Sequence, residues 1–394
     1  MEKKVWQQSF LALHPQVFLK GLEGPALYHV GRDELYEIDD RALLFLSQCD
    51  GTRRGAELTD DREFVAYCLE EGLLEIWDTP RWRKIPSSNA PTPSLRYLEL
   101  QLLHQCNLRC RHCYLGPPET GRMSLSDALG ITREFSERGG LRLLISGGEP
   151  LLYPELPEFV AATRDWGLRR ILITNGTLIE KSNIALLPVE EVQISLDGWR
   201  EGHEQLRGAG TFDQALRGIR AIREAGLPVS IATMIHRGNL HEFERLSRYV
   251  AEIGAVEWGV DLPCLAGSWQ ENQALAVSPE EAVPYLNFSF GGGYHGSAEG
   301  YACGRHLLTV LPDGQAVKCG FYGNEPLGDA RQGLIDCWLK LPHIPLEKLE
   351  CRTCPALEEC AGGCRYRAGQ RWAKDPLMCA YYGQAPSLRS EGRQ

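Results

Sequence analysis

The stretch CNLRCRHCY, residues 106–114, places Cys106, Cys110 and Cys113 within eight positions, spaced C-x3-C-x2-C. Three sulfurs on so short a loop point to metal ligation. A cubane iron–sulfur cluster takes one thiolate per iron, normally four. Three thiolates leave one iron open to an outside ligand, such as an amine with a carboxylate. Zinc is the alternative. Structural zinc sites are closed by four ligands, so His104 or His112 would have to complete the set.

The sequence around the loop is that of an α/β barrel. LRYLELQLLH (95–104) and LRLLISGG (141–148) read as strands, followed by RRILITNG (169–176), VEEVQISLDG (189–198), LPVSIATMI (227–235) and AVEWGVDLP (255–263). Helical stretches near 124–139, 155–166, 178–187, 211–225 and 240–253 separate them. Strands that are near-continuous apolar runs alternating with helices imply a parallel sheet covered by helices. Six units are two short of a closed eight-fold barrel, so a partial barrel is expected. Its chemistry belongs at the C-terminal ends of the strands, where the loop of 106–114 emerges.

Composition narrows the function classes. The 394 residues are 43% apolar and 24% charged, as in globular proteins, with room for two or three domains. No run of about 18 apolar residues occurs, so no spanning helix is expected. MEKKVWQQSF, at the start, has no apolar h-region, so no signal peptide and a cytoplasmic location are expected. The net charge of −10 disfavours nucleic acid as a partner. Fourteen cysteines without a secretory signal read as metal ligands rather than a disulfide framework, and nine of them fall between Cys264 and Cys379.

The chain divides into four regions. Residues 1–78 form a small α+β unit. PALYHVG (25–31) and ELYEID (34–39) alternate like half-buried strands, and DRALLFLSQCDG (40–51) and DREFVAYCLEEG (61–72) carry helix start and stop signals. Cys49 and Cys68 fall on the apolar faces of these helices. Residues 79–94, TPRWRKIPSSNAPTPS, hold four prolines and read as an extended, poorly packed linker. Residues 95–290 form the barrel, and 291–394 form the cysteine-rich tail.

The motif of Cys106, Cys110, Cys113 and the aromatic Tyr114 resembles that of the radical S-adenosylmethionine (SAM) enzymes. The resemblance implies a [4Fe–4S] cluster whose open iron chelates SAM, and reductive cleavage of SAM to a 5′-deoxyadenosyl radical. It also implies an external electron donor of flavodoxin or ferredoxin type. SGGEP, with Ser146, Gly147, Gly148 and Glu149, resembles the family's GGEP motif for the SAM amino group. The two glycines would let the backbone approach the ligand. Asn175, Ser195 and Asp197 resemble residues near the ribose and methionine, and Arg207 resembles the arginine that pairs with the SAM carboxylate.

The tail resembles the seven-cysteine SPASM extension, which binds two auxiliary iron–sulfur clusters, with zinc knuckles as the alternative. Cys303, Gly314-x4-Cys319 and Cys364 would hold the first cluster; Cys351, Cys354, Cys360 and Cys379 would hold the second. Cys337 is a candidate to complete the first, which otherwise keeps an open iron able to ligate substrate. Cys264, after the sixth strand, is a candidate to face the active site, with core packing as the alternative.

Residues 15–78 resemble a PqqD-like recognition element of ribosomally made peptides. Such a winged-helix domain binds a leader peptide as an added strand. Together these resemblances imply a peptide maturase that takes a hydrogen atom from a precursor peptide and installs a cross-link, thioether before carbon–carbon. The alternatives are a SPASM enzyme acting on a tetrapyrrole or a sulfatase-type protein substrate, and a non-catalytic iron–sulfur or zinc scaffold.

Overall fold

The computed structural model describes residues 5–292 and 300–383; 293–299 and 384–394 of the tail lie outside it. The front unit holds two small sheets. One has the antiparallel order β5-β1-β6, with β1 Phe10–Leu13, β5 Asp50–Arg54 and β6 Leu74–Trp77. The other runs β4-β3-β2-β7, with β2 Val17–Gly21, β3 Pro25–His29, β4 Glu34–Glu37 and β7 Ser87–Asn89. The helices Asp40–Leu46 and Arg62–Glu70 start where the sequence places them. The Asp39 carboxylate accepts from the Ala42 amide, and that of Asp61 from the Phe64 amide. Cys49 and Cys68 lie in the core beneath them, as their apolar faces predict.

The linker is extended, but it is not poorly packed. Ser87–Asn89 pairs in parallel with β2, and Ile85 packs against the front core. Arg83 bonds the Leu13 carbonyl and stacks over Trp77 at 4.6 Å. A proline-rich segment lacks apolar periodicity, yet its extended backbone still offers ladder groups to an open sheet edge.

The large sheet has nine strands in the order β13-β12-β11-β10-β9-β8-β14-β15-β16. Six are the expected parallel strands: β8 Tyr97–Gln101, β9 Arg142–Ser146, β10 Arg169–Thr174, β11 Glu191–Ser195, β12 Val229–Met234 and β13 Glu257–Asp261. They are adjacent in chain order, as crossovers of one hand produce. The partial barrel is open. On the β8 side the tail adds β14 Leu307–Val310, parallel to β8, and the antiparallel β15 Gln315–Val317 and β16 Gly328–Asp329. These tail strands escape sequence reading because they are short and set among turn residues.

Covering helices bury one stripe each. In Leu125–Glu137, capped by Ser124, the buried residues are Ala128, Ile131, Thr132 and Phe135, spaced three and four apart. A helix absent from the sequence reading, Arg200–Arg207, lies after β11 and carries Arg207.

The front unit is fastened to the floor of the barrel, where the strands begin. Asp33 faces Arg142 at 2.9 Å and Arg169 at 3.3 Å. The buried Lys20 Nζ donates to the carbonyls of Gly140 and Gly167. Tyr28 and Val30 pack on Leu141, and Glu23 pairs with Arg96 at 2.6 Å. The outer edge of β4 carries no partner strand among the described residues.

Candidate active site and cysteine clusters

Cys106, Cys110 and Cys113 lie together in the loop after β8: the Cys113 sulfur is a charged neighbour of both Cys106 and Cys110, and Cys106 of Cys110. Burial pushes the Cys106 thiol up and takes Cys110 up to about 11; Arg207 opposes the shift at both. Donors converge on the sulfurs. The Leu108 amide donates to Cys106, the Asn175 amide approaches Cys106 at 3.9 Å, and Arg207 Nη1 approaches Cys110 at 3.9 Å. Thiolates, not thiols, bind metal, and positive groups beside them favour that form. Three thiols with this donor set suit a cluster held by three cysteines. The zinc alternative would draw on a histidine, but Nε2 of His112 lies against Arg207 Nη2 at 3.2 Å. Among the described residues no three metal-ligating side chains converge on a single-ion site. A multi-iron cluster, whose thiolates bind separate irons, does not need that convergence.

The glycines of SGGEP have a structural partner. A Cβ on Gly148 would lie 2.2 Å from the Gln105 carbonyl oxygen, and one on Gly147 would lie 2.5 Å from that of Leu103. What approaches them so closely is the cysteine loop itself, pinned by Gly148 N to Leu103 O and Glu149 N to Gln105 O. The Glu149 carboxylate, fully buried, accepts from Thr174 Oγ1 at 2.7 Å and from the amides of Asn175 and Leu151. Burial pushes it up, and those bonds oppose the shift. With its side chain so engaged, this motif offers a bound amine its backbone.

Asn175 also holds the loop, donating to Asn107 Oδ1 at 2.9 Å. Ser195 ends β11, half-buried. Asp197 is fully buried and accepts from Arg207 Nε at 2.5 Å and from the Met234 amide at 2.8 Å. Burial alone would raise its carboxyl, but Arg207, then His112 and His203, hold it well below the usual carboxylate range. Arg207 is thus an oriented cation between Asp197 and Cys110.

Tyr114 points to the tail. Its ring packs on Phe321 with centroids 4.9 Å apart, and Phe321 stacks on Tyr366 at 5.0 Å. Two site residues escape sequence reading, Glu99 and Gln101 of β8. The Glu99 carboxylate accepts from Ser146, Tyr114 and Thr309, so it joins β8, β9, β14 and the cysteine loop. The Gln101 Oε1 is buried without a partner. Their signal was present in LRYLELQLLH, where two polar residues two apart share one strand face.

In the tail, Cys351, Cys354, Cys360 and Cys379 line one small cavity. Burial, with the nearby Asp375 and cysteines adding to it, takes Cys360 up to about 11. Cys303 and Cys364 flank Cys319, which burial takes up to about 12. Asp375 links the two groups: it accepts from the Cys364 amide at 2.7 Å and caps helix Pro376–Tyr381, which bears Cys379.

Cys337 does not join the first group. It is buried in the main core, in helix Leu334–Trp338, with Lys340, Asp329, Asp336 and Glu134 as its charged neighbours. The helix is drawn there because Glu134 accepts its first two amides. Cys264 lies instead beside Cys364, and the two thiols interact: that of Cys264 is pushed up and that of Cys364 down. A cavity of about 990 Å³ opens beside Cys264, between the end of the barrel and the tail. None of the three loop cysteines lines it.

This geometry has counterparts among known proteins. Residues 100–250 match the Radical SAM superfamily. The chain is 27% identical over 347 residues to the AdoMet-dependent heme synthase of Nitratidesulfovibrio vulgaris, covering 74% of this chain and 93% of that one. It is 29% identical over 337 residues to the PqqA peptide cyclase of Streptomyces rochei, covering 74% and 90%. The crystal structure of Streptococcus suis SuiB bound to precursor peptide SuiA superimposes with a TM-score of 0.69 at 16% identity. That match covers 94% of this chain and 99% of SuiB, so the shared fold extends into the front unit.

Proposed function

Given that this chain is a radical SAM enzyme of the SPASM type, we propose that it modifies a ribosomally made precursor peptide. It recognises a leader on the front unit and cross-links a core residue at the barrel mouth. When bound, the cluster on Cys106, Cys110 and Cys113 with SAM supplies a 5′-deoxyadenosyl radical that takes a hydrogen atom from the substrate. The chain's own residues bind and orient. The backbone of residues 146–149 is placed for the SAM amine, and the Arg207 cation, set by Asp197, for its carboxylate. Asn175 and Glu149 hold the loop that carries the thiols. The tail cysteines would hold two auxiliary clusters, Cys303, Cys319 and Cys364 the first and Cys351, Cys354, Cys360 and Cys379 the second, which would supply a sink for the electron released on cross-linking. An external flavodoxin or ferredoxin supplies the electron that starts the cycle.

The observation that carries the peptide reading is the edge of β4, without a partner strand among the described residues, on a unit fastened to the barrel. An extended peptide can add there as a strand through backbone hydrogen bonds. The half-buried Leu35 and Tyr36 and the exposed Tyr67 are at hand for its side chains. Thioether and carbon–carbon links both remove two hydrogens, and thiol alkylation of the product separates them. The test is a titration of the anaerobic chain with leader peptides, alongside mass spectrometry of the precursor. Proline in the added strand of the leader should weaken binding, since it removes a ladder donor. Leader binding that proline scanning leaves unchanged would refute this site.

A second reading is favoured by the heme synthase relatives: a tetrapyrrole substrate, for which the 990 Å³ cavity has room. SAM-dependent consumption of an iron porphyrinoid, with no modification of any precursor, would put it first.

A further inference from the structure

Three tail cysteines, Cys303, Cys319 and Cys364, form the first auxiliary group, one short of closing a cluster with protein thiolates alone. We propose that Cys264, in the segment after the last barrel strand, is the fourth ligand, so that this cluster is held jointly by barrel and tail. The assignment rests on the tail binding auxiliary clusters.

The first support is proximity. Cys264 lines one cavity with Arg365, Tyr366 and Arg367, the three residues that follow Cys364, and Tyr366 has Cys264, Cys319 and Cys364 together as neighbours. Cys264 and Cys364 are a hundred residues apart, so the meeting is tertiary and needs a cause. Arg367 supplies it. Its Nη1 donates to Asp261 at the end of β13 at 2.7 Å, while Nε and Nη2 donate to Asp375 at 2.8 and 2.9 Å. Asp375 in turn holds the Cys364 amide. One planar guanidinium therefore sets the strand that leads to Cys264 against the turn that carries Cys364. A fork of this kind has little rotational freedom.

The second support is the environment of the remaining thiols. Cys49, Cys68 and Cys337 each belong to a hydrophobic core cluster, as structural cysteines do. Cys264 belongs to none of the core clusters, although only 7% of its surface is exposed. It is buried at the wall of a cavity that it shares with the residues following Cys364.

The third support is the path of the chain beyond Cys264. The backbone turns back at once, with Ala266 N bonded to Cys264 O at 2.7 Å, and Ser268 N reaches Cys113 O at 2.9 Å. Gly267, at φ +49°, lies so close that a Cβ would meet that same Cys113 oxygen at 2.3 Å. Four residues thus span from the first auxiliary group to the SAM-cluster loop. A cluster ligated by Cys264 lies on the side of the tail that faces the SAM site.

On binding, each thiol loses its proton and the thiolate joins one iron. A fully thiolate-ligated cluster has no iron free for a substrate thiolate. It accepts or passes electrons without holding the peptide, which removes the ground for preferring a thioether product.

The experiment isolates the tail clusters by replacing Cys106, Cys110 and Cys113 with alanine, then adds Cys264→Ala or Cys337→Ala. Each protein is reconstituted anaerobically. Iron is counted, and the EPR spectrum of the reduced protein is recorded with and without cyanide. With Cys264 present, cyanide should leave the spectrum unchanged. Cys264→Ala should either lose about four irons, if the cluster is a cubane, or gain a cyanide-shifted signal from the opened iron. Cys337→Ala should match the parent. A Cys264→Ala protein identical to the parent in iron and spectrum would overturn the proposal, as would a parent that already binds cyanide.

Should Cys264→Ala misfold, the unsubstituted enzyme gives a second readout. In the iron-loaded protein Cys264 should resist alkylation until a chelator removes the iron. Rapid alkylation before that, or a Cys264–Cys364 disulfide in the loaded protein, would overturn the assignment. A parent with no tail iron at all would instead sink the cluster reading on which the assignment rests.

Discussion

Asp33 is the carboxylate through which the front unit grips the barrel floor, and Asp33→Asn tests that grip. It stands at φ +60°, which asparagine tolerates almost as well as aspartate, so the substitution removes charge with little backbone strain. Arg142 loses a carboxylate at 2.9 Å, and Arg169 loses one at 3.3 Å while keeping Glu191 at 2.7 Å. The Asp33 and Arg142 side chains are 19% and 17% exposed. Breaking a buried pair costs about 3–5 kcal/mol, and an exposed one about 0–1. A pair between these limits is worth about 2 kcal/mol, or roughly 30-fold in the docking equilibrium. Hydrogen exchange should show faster exchange of β2 and β3 amides and of residues 141–142. The residues proposed to bind SAM sit at the far ends of the same strands, about 15 Å away along five residues, so SAM cleavage should be unchanged. Unaltered exchange at β2 and β3 would refute the keystone role, and a parallel fall in SAM cleavage would refute the separation of floor and mouth.

Gly148→Ala should push the cysteine loop off its seat, since the clash is with backbone oxygens. Overpacking of this kind costs about 1–3 kcal/mol, so SAM cleavage and iron at the loop should both drop, and normal values of both would refute the packing role. Arg207→Gln leaves the buried Asp197 carboxylate without its cation and should lower the melting temperature, while Arg207→Gln with Asp197→Asn should regain stability but not SAM cleavage. Regained cleavage in the double variant would show that the cation is dispensable. Burial pushes Lys20 from 10.5 down to about 7. Between those values the unfolded chain holds a proton that the folded chain does not, so stability should rise with pH across that window. Lys20→Met should flatten that slope in melts between pH 7 and 9, and an unchanged slope would assign it to other groups.

Much of this protein is legible locally. The C-x3-C-x2-C loop, the strand–helix alternation and the helix start signals of residues 40–51 and 61–72 depend on residues a few positions apart, and hydrogen-bond geometry repeats at that range. The C-x2-C-x5-C spacing is legible for the same reason in Cys351, Cys354 and Cys360, which line one cavity with Cys379. Contacts that depend on pairing across the chain were not legible. Ser87–Asn89 is a strand only because β2 presents an open edge, and Leu307–Val310 only because β8 does. Gly148 is glycine because the backbone of residues 104–105 passes over it. The two spare thiols show the difference most sharply. Cys337 lies nearer in sequence to the tail motif, and Cys264 lies far from it. No pattern in the chain reveals that Glu134 draws one into the core while Arg367 brings the other to Cys364. Spacing along the chain determined which residues could bind metal; the ion pairs and sheet edges of the folded state decided which of them meet.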